Sequence, residues 1–176
     1  MQNTQRDAYF LYRFEALLEF VPIGIVPEGL RMANSFDGIV TEGVFEGARV
    51  QGTDHLLVRR DGVSIIDAQK TISRDGVYTW EHVIGYCLPP AGLDVPPLEM
   101  MLDRDFAWPD MPFPILASST FRTADPGLEY LNRVVSRIEG WANFATGGLA
   151  IETWQARHSG TIALPSPGWS GQARSA

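Results

Sequence analysis

The chain predicts an all-β domain, a closed or nearly closed antiparallel β-barrel. Three observations carry that expectation. Apolar and polar residues alternate on almost every segment, while helical periodicity recurs on almost none. Asp61-Gly62 and Asp75-Gly76 bracket the alternating run 63–72, and Asp-Gly between such runs signals hairpins because glycine supplies the positive φ of a tight turn. Short strands then recur at about 8–12-residue spacing, the rhythm of a barrel or sandwich.

The elements follow in order. Residues 10–20 put Phe10, Tyr12, Phe14, Ala16, Leu18 and Phe20 on one face, and Arg13, Glu15 and Glu19 on the other. Ala, Leu and Glu favour helix, but the alternate aromatics make this a half-buried strand. Pro22, Gly24, Pro27 and Gly29 break the chain into a loop. Residues 40–51 read as one strand, with Gly43 and Gly47 marking bulges or close backbone approaches. Strands at 56–60, 63–72 and 77–84 come next. Segment 89–114 carries Pro89, Pro90, Pro96, Pro97, Pro109, Pro112 and Pro114, with a helical turn or two at 98–103. A loop this long is a functional lid or a flap over one barrel end. Residues 115–122 form a strand, and 134–144 with 149–157 a closing hairpin through Thr146-Gly147-Gly148. Residues 1–157 are one domain; 158–176, rich in Ser, Gly and Pro, are a C-terminal extension.

Composition narrows the function. A chain of 176 residues with 45% hydrophobic and 20% charged content is an ordinary globular domain. The net charge of −7 opposes binding to nucleic acid or anionic membrane. No apolar run reaches the roughly 18 residues of a membrane span, and residues 1–7 lack the pattern of a signal peptide. Cys87 is the single cysteine, so no internal disulfide forms and a cytoplasmic setting fits. Val44-Phe45 and Ile65-Ile66 place apolar residues on both strand faces, more than one small barrel buries, so a homodimer or larger is expected.

Four stretches, in order, resemble the uncharacterised DUF3237 (UPF0311) family. They are Gly43-Val44-Phe45-Glu46-Gly47-Ala48-Arg49-Val50-Gln51-Gly52; Asp61-Gly62 through Asp67-Ala68 to Thr71-Ile72; Asp75-Gly76; and Phe121-Arg122-Thr123 with Tyr130-Leu131-Asn132-Arg133. The resemblance implies a small, calycin-like closed barrel with a lumen. A few members act on phenolic or natural-product substrates as decarboxylases or related lyases. The chain departs from the family pattern at Glu42-Gly43, at the shortened Gly52-Thr53-Asp54, and at Gln69 and Lys70.

Candidate site residues follow from chemistry. The sequence lacks Ser-His-Asp spacing, a phosphate-binding loop, a dinucleotide fingerprint and zinc-ligand spacing. Catalysis is therefore expected to be cofactor-free acid–base work in an apolar lumen. In 77–84, Tyr78, Trp80 and His82 share one face: rings to stack on an aromatic ligand and a group that titrates near neutrality. The alternative is that this face packs outward, against a loop or a second subunit. Asp67 sits mid-strand, where acids are disfavoured; Arg49 and Arg122 are candidate partners in an Asp–Arg brace. His82 and Asp67 are the expected proton-transfer pair and Arg49 the anion holder, with Glu46, Arg122, Tyr130 and Asn132 contacting substrate. Should the pair point elsewhere, Arg49, Glu46 or Tyr130 inherits the role. Tyr130 and Asn132 are equally read as stitching the entry to the closing hairpin, and Cys87 as a buried inert thiol. The function expected is a cofactor-independent lyase, isomerase or cyclase acting on a hydrophobic aromatic molecule. The alternatives are a non-catalytic binding barrel and an assembly protein with an aromatic interface.

Overall fold

The computed structural model describes residues 8–103 and 105–156; the extension 158–176 lies outside the described residues. Eleven strands form one antiparallel sheet. They are β1 (Ala8–Glu19), β2 (Pro22–Val26), β3 (Gly29–Met32), β4 (Asn34–Gly43), β5 (Arg49–Asp54), β6 (Leu57–Val58), β7 (Ser64–Arg74), β8 (Val77–Cys87), β9 (Phe113–Thr123), β10 (Val135–Asn143) and β11 (Gly148–Ala156). Eight of them run β7-β5-β4-β1-β11-β10-β9-β8, and the pairing of β8 with β7 closes the ring. The molecule is a closed eight-stranded β-barrel, as the alternation predicts. Among the described residues no helix is long and apolar enough to cross a membrane.

Two expectations are corrected. Residues 22–29 are not a loop: β2 and β3 form a short hairpin, and β3 extends the sheet through β6. Proline and glycine mask that alternation in the sequence. Residues 40–51 are not one strand: the chain reverses between β4 and β5. Gly43 has φ 97°, and a Cβ there would strike the Leu11 carbonyl, so only glycine makes this exit. The reversal turns Phe45 into the barrel, edge-on to Tyr12 at 5.3 Å.

Strand parity decides what enters the core. In β1, Tyr12, Phe14 and Ala16 are buried while Glu15 and Leu17 are exposed, the half-buried face expected. One barrel end is filled by Phe45, Ile72, Phe121 and Leu131, the last on a 3-10 helix at Pro126–Arg133. The Pro-rich segment covers the other end. Its single helical turn, α1 (Leu98–Met101), buries Leu98 and Met101, and Trp108 packs on Phe144 at 4.8 Å. Phe144 in turn meets Phe113 at 4.7 Å and Phe20 at 5.2 Å. These prolines therefore belong to a cap built of ring contacts.

Candidate functional site in the barrel lumen

The β7–β8 hairpin sets which side chains face inward. Asp75 and Gly76 both have positive φ, 53° and 82°, the geometry of a two-residue turn whose twist suits the flanking strands. It pairs Arg74 with Val77, and from there Ile72 with Thr79, Lys70 with Glu81, Ala68 with Val83 and Ile66 with Gly85. Directly opposed residues share a face. The aliphatic row Ile66, Ala68 and Ile72 goes inside, so Lys70 and Glu81 go inside with it, 3% and 0% exposed.

Lys70 Nζ lies 3.4 Å from Glu81 Oε2 and 4.4 Å from the centre of the Phe14 ring. The Tyr12 hydroxyl donates to the same Glu81 oxygen. Burial lowers the Lys70 pKa, and the Glu81 charge opposes that shift. Burial and then Glu81 hold the Tyr12 phenol well above its ordinary value. Glu81 Oε1 and Thr79 Oγ1 lack a protein partner. Gly52, opposite Lys70, makes room: a Cβ there would strike the Phe36 ring and come within 2.8 Å of Lys70 Cβ.

Between this cluster and the cap lies a cavity of about 70 Å³. Its walls are mostly apolar, including Phe14, Phe36, Ile138 and Phe144, but Lys70, Asn34, Asp54 and Cys87 also line it. Asn34 and Asp54 are opposed on β4 and β5. Asp54 Oδ1 accepts the Asp67 N–H at 3.1 Å, whereas Asn34 Oδ1 is buried without a partner. Burial pushes the Asp54 carboxyl up to about 6; the Asp67 N–H opposes this and the Asp67 charge adds to it. A carboxyl there exchanges protons near neutral pH, as a general acid–base group must. Burial pushes the Cys87 thiol up to about 12, so it carries no thiolate. Among the described residues no cluster of three His, Cys, Asp or Glu side chains could hold a metal.

The expected pair meets, but on the outer wall. His82 Nε2 is 2.8 Å from Asp67 Oδ1, with side chains 30% and 57% exposed. The expectation that they share the lumen is corrected, because Asp67 and His82 have the parity opposite to Ile66 and Val83. Tyr78 and Trp80 point outward too; with Arg122 and Asn132 they line an open groove beside the pair. Trp80 stacks on His82 at 5.8 Å. Arg122 donates to its neighbour's carbonyl, Phe121 O, at 2.5 Å. Neither arginine braces Asp67: Arg49 is exposed and pairs with Asp37, which also accepts from Gln51 at 3.2 Å. That pairing holds the Asp37 carboxyl below its ordinary value. Glu46 is exposed in the β4–β5 reversal, where its carbonyl accepts from Arg74. Asn132 stitches, accepting from Thr123 N at 2.8 Å and donating to Thr123 O at 2.9 Å, and Tyr130 is exposed on the same 3-10 helix. The lumen residues left a signal in the sequence: Lys70 is the only lysine among 14 basic residues, and the Asp75-Gly76 turn places it opposite Glu81.

Fold and site together define a closed antiparallel barrel around a small, mostly apolar lumen that holds an acid, an amide and an amine. No protein-family model and no curated protein matches the chain. Solved structures match it by fold. A conserved protein of unknown function from Rhodopseudomonas palustris is 17% identical with a TM-score of 0.64, covering 85% of this chain and 96% of its own. A protein of unknown function from Clostridium acetobutylicum is 16% identical with a TM-score of 0.65, covering 85% and 98%. A beta-barrel like protein from Acinetobacter baumannii is 20% identical with a TM-score of 0.64, covering 85% and 95%. The likeness concerns the fold.

Proposed function

We propose that the lumen takes a compact, hydrophobic, aromatic or natural-product-like molecule and that the protein acts on it by cofactor-free proton transfer. The reaction class is lyase, isomerase or cyclase: decarboxylation, dehydration or cyclisation. The observation that carries this reading is the unpartnered Asn34 Oδ1 beside Asp54, both lining an otherwise apolar cavity. A substrate O–H or N–H would satisfy Asn34, Asp54 would exchange the proton, and the Lys70 cation would stabilise negative charge developing on the ring. The order of motifs shared with DUF3237 supports it, and membership of that family is part of the proposal. So are a cytoplasmic setting, supported by the single cysteine, and a homo-oligomer, supported by the apolar side chains exposed on the outer wall. The cavity of about 70 Å³ is well below the roughly 300–1,000 Å³ of drug-sized sites. It is also below the roughly 150 Å³ of an apolar cavity that takes up benzene, so the substrate is at most ring-sized and its entry must displace the cap or lining side chains. The mostly apolar lining of the cavity favours, as a second reading, a carrier that binds without turnover.

Thermal shift with phenol, 2-naphthol and hydroxybenzoates tests binding; release of carbon dioxide from the hydroxybenzoates tests turnover. Phenol should stabilise the protein, and Ala68→Leu, which fills the cavity, should abolish the effect. Turnover should follow the titration of Asp54, with a midpoint near pH 6. A panel in which no ring compound shifts the melting point, or an Ala68→Leu variant that binds as well as the parent, overturns the lumen as the site. Binding without turnover selects the carrier.

A further inference from the structure

Of the 14 lysine and arginine residues of this chain, all are arginine except Lys70. The exception lies inside the barrel, buried, lining the cavity, with its ammonium 3.4 Å from Glu81 Oε2. As a structural partner for a carboxylate, arginine would serve better, since its planar fork gives two parallel hydrogen bonds. What lysine alone offers is an amine that can lose its proton and act as a nucleophile. Its surroundings suit that use. The Phe14 and Tyr12 rings exclude water around Nζ, at 4.4 and 5.4 Å to their centres. Glu81 keeps one oxygen, Oε1, without a protein partner.

We propose that Lys70 forms an imine with a compact aldehyde or ketone held in the lumen; the proposal rests on the reading of the lumen as a small-molecule site. Lys70 ammonium passes a proton to the Glu81 carboxylate, leaving a neutral amine and a carboxylic acid. The nitrogen lone pair attacks the carbonyl carbon, the C=O π pair moves to oxygen, and the proton on nitrogen transfers to that oxygen, giving a carbinolamine. Glu81 then protonates the hydroxyl, water leaves, and the nitrogen lone pair closes the C=N bond. The product is a positively charged iminium beside the restored Glu81 carboxylate, so charge and atoms balance with no oxidant or reductant. An iminium withdraws electrons from the adjacent carbon, which would make proton loss or decarboxylation at that carbon easier. The substrate class is then a ring-sized carbonyl compound.

Reductive trapping tests this. Wild-type protein is incubated with benzaldehyde and sodium cyanoborohydride, and adducts are located by intact mass and peptide mapping. Besides Lys70, the terminal α-amine is the one other primary amine the chain offers. Benzyl alcohol, which has the same ring and no carbonyl, reports lumen occupancy by thermal shift and serves as competitor. The expected result is one benzyl group on Lys70, its formation suppressed by benzyl alcohol. The Lys70→Arg variant should form no internal adduct; the wild-type trapping and its suppression decide the matter even if that variant does not fold. Binding of benzyl alcohol with no adduct on Lys70 overturns the imine and leaves the lumen reading standing. An adduct on Lys70 that benzyl alcohol does not suppress overturns the imine as a lumen reaction. No binding of either compound overturns both readings.

Discussion

Asp54 and Lys70 show how single residues set the behaviour of this lumen. The Asp54 carboxyl titrates near 3.8 when unfolded and about 6 in the barrel. Burial thus favours its neutral form. Well below pH 4 it is neutral in both states and costs nothing; between about 4 and 6 only the unfolded chain ionises, so stability falls, and above 6 the native state carries the buried charge at full cost. The penalty above that range is about 3 kcal/mol, from roughly 1.4 kcal/mol per unit. Asp54→Asn, which can still accept the Asp67 N–H, should therefore stabilise the protein at pH 7.5 and lose its advantage near pH 4. Denaturant melts at the two pH values measure this. Lys70→Met leaves Glu81 as an uncompensated buried charge and should cost about 3–5 kcal/mol, whereas the double variant Lys70→Met with Glu81→Leu should recover most of the loss. His82→Gln lies on the outer wall and should leave binding of phenol in the lumen unchanged.

At the scale of elements, the hairpins set the register and the Pro-rich cap sets access. Gly52 lets the Phe36 ring and the Lys70 stem cross between β4, β5 and β7; Gly52→Ala should cost about 1–3 kcal/mol through overpacking. Phe144 joins β10 and its turn to the cap through Trp108, Phe113 and Phe20. Phe144→Ala should destabilise by roughly 3–5 kcal/mol. It should also raise amide hydrogen exchange across 88–112 more than across β7 and β8, because the cap loses its anchor while the strand ladders do not.

The whole molecule presents a greasy outer wall. Tyr78, Ile84, Tyr86, Leu116 and Val135 are exposed on neighbouring strands β8, β9 and β10. Patches of this kind mark interaction surfaces, and identical chains most often use them as two-fold interfaces. Light scattering at micromolar concentration should return a mass near twice the 19.5 kDa of the chain. A variant with Tyr86→Lys and Leu116→Glu on this wall should shift that mass toward the monomer while keeping a strand-dominated circular-dichroism spectrum.

Much of the architecture was legible from local rules. Alternation is a property of each strand by itself, and Asp61-Gly62 and Asp75-Gly76 carry their turn geometry in their own residues. The closed barrel and most strand positions follow from these. The hairpin at Pro22–Val26 and Gly29–Met32 and the reversal after Gly43 were hidden, because their strands are held by partners distant in sequence, β6 and the Leu11 carbonyl. The site shows the same division. That Asp67 and His82 share a face is a matter of parity and could be read along the chain; which face is the inside is not. Inside and outside are decided only when the sheet closes, and the row that goes inward is Ile66, Ala68 and Ile72 because burying it removes the most apolar surface from water. That choice carries Lys70 and Glu81 into the lumen and leaves His82, Trp80 and Tyr78 on the wall, although β8 by itself has its aromatic row, Tyr78, Trp80 and Tyr86, on that outer face.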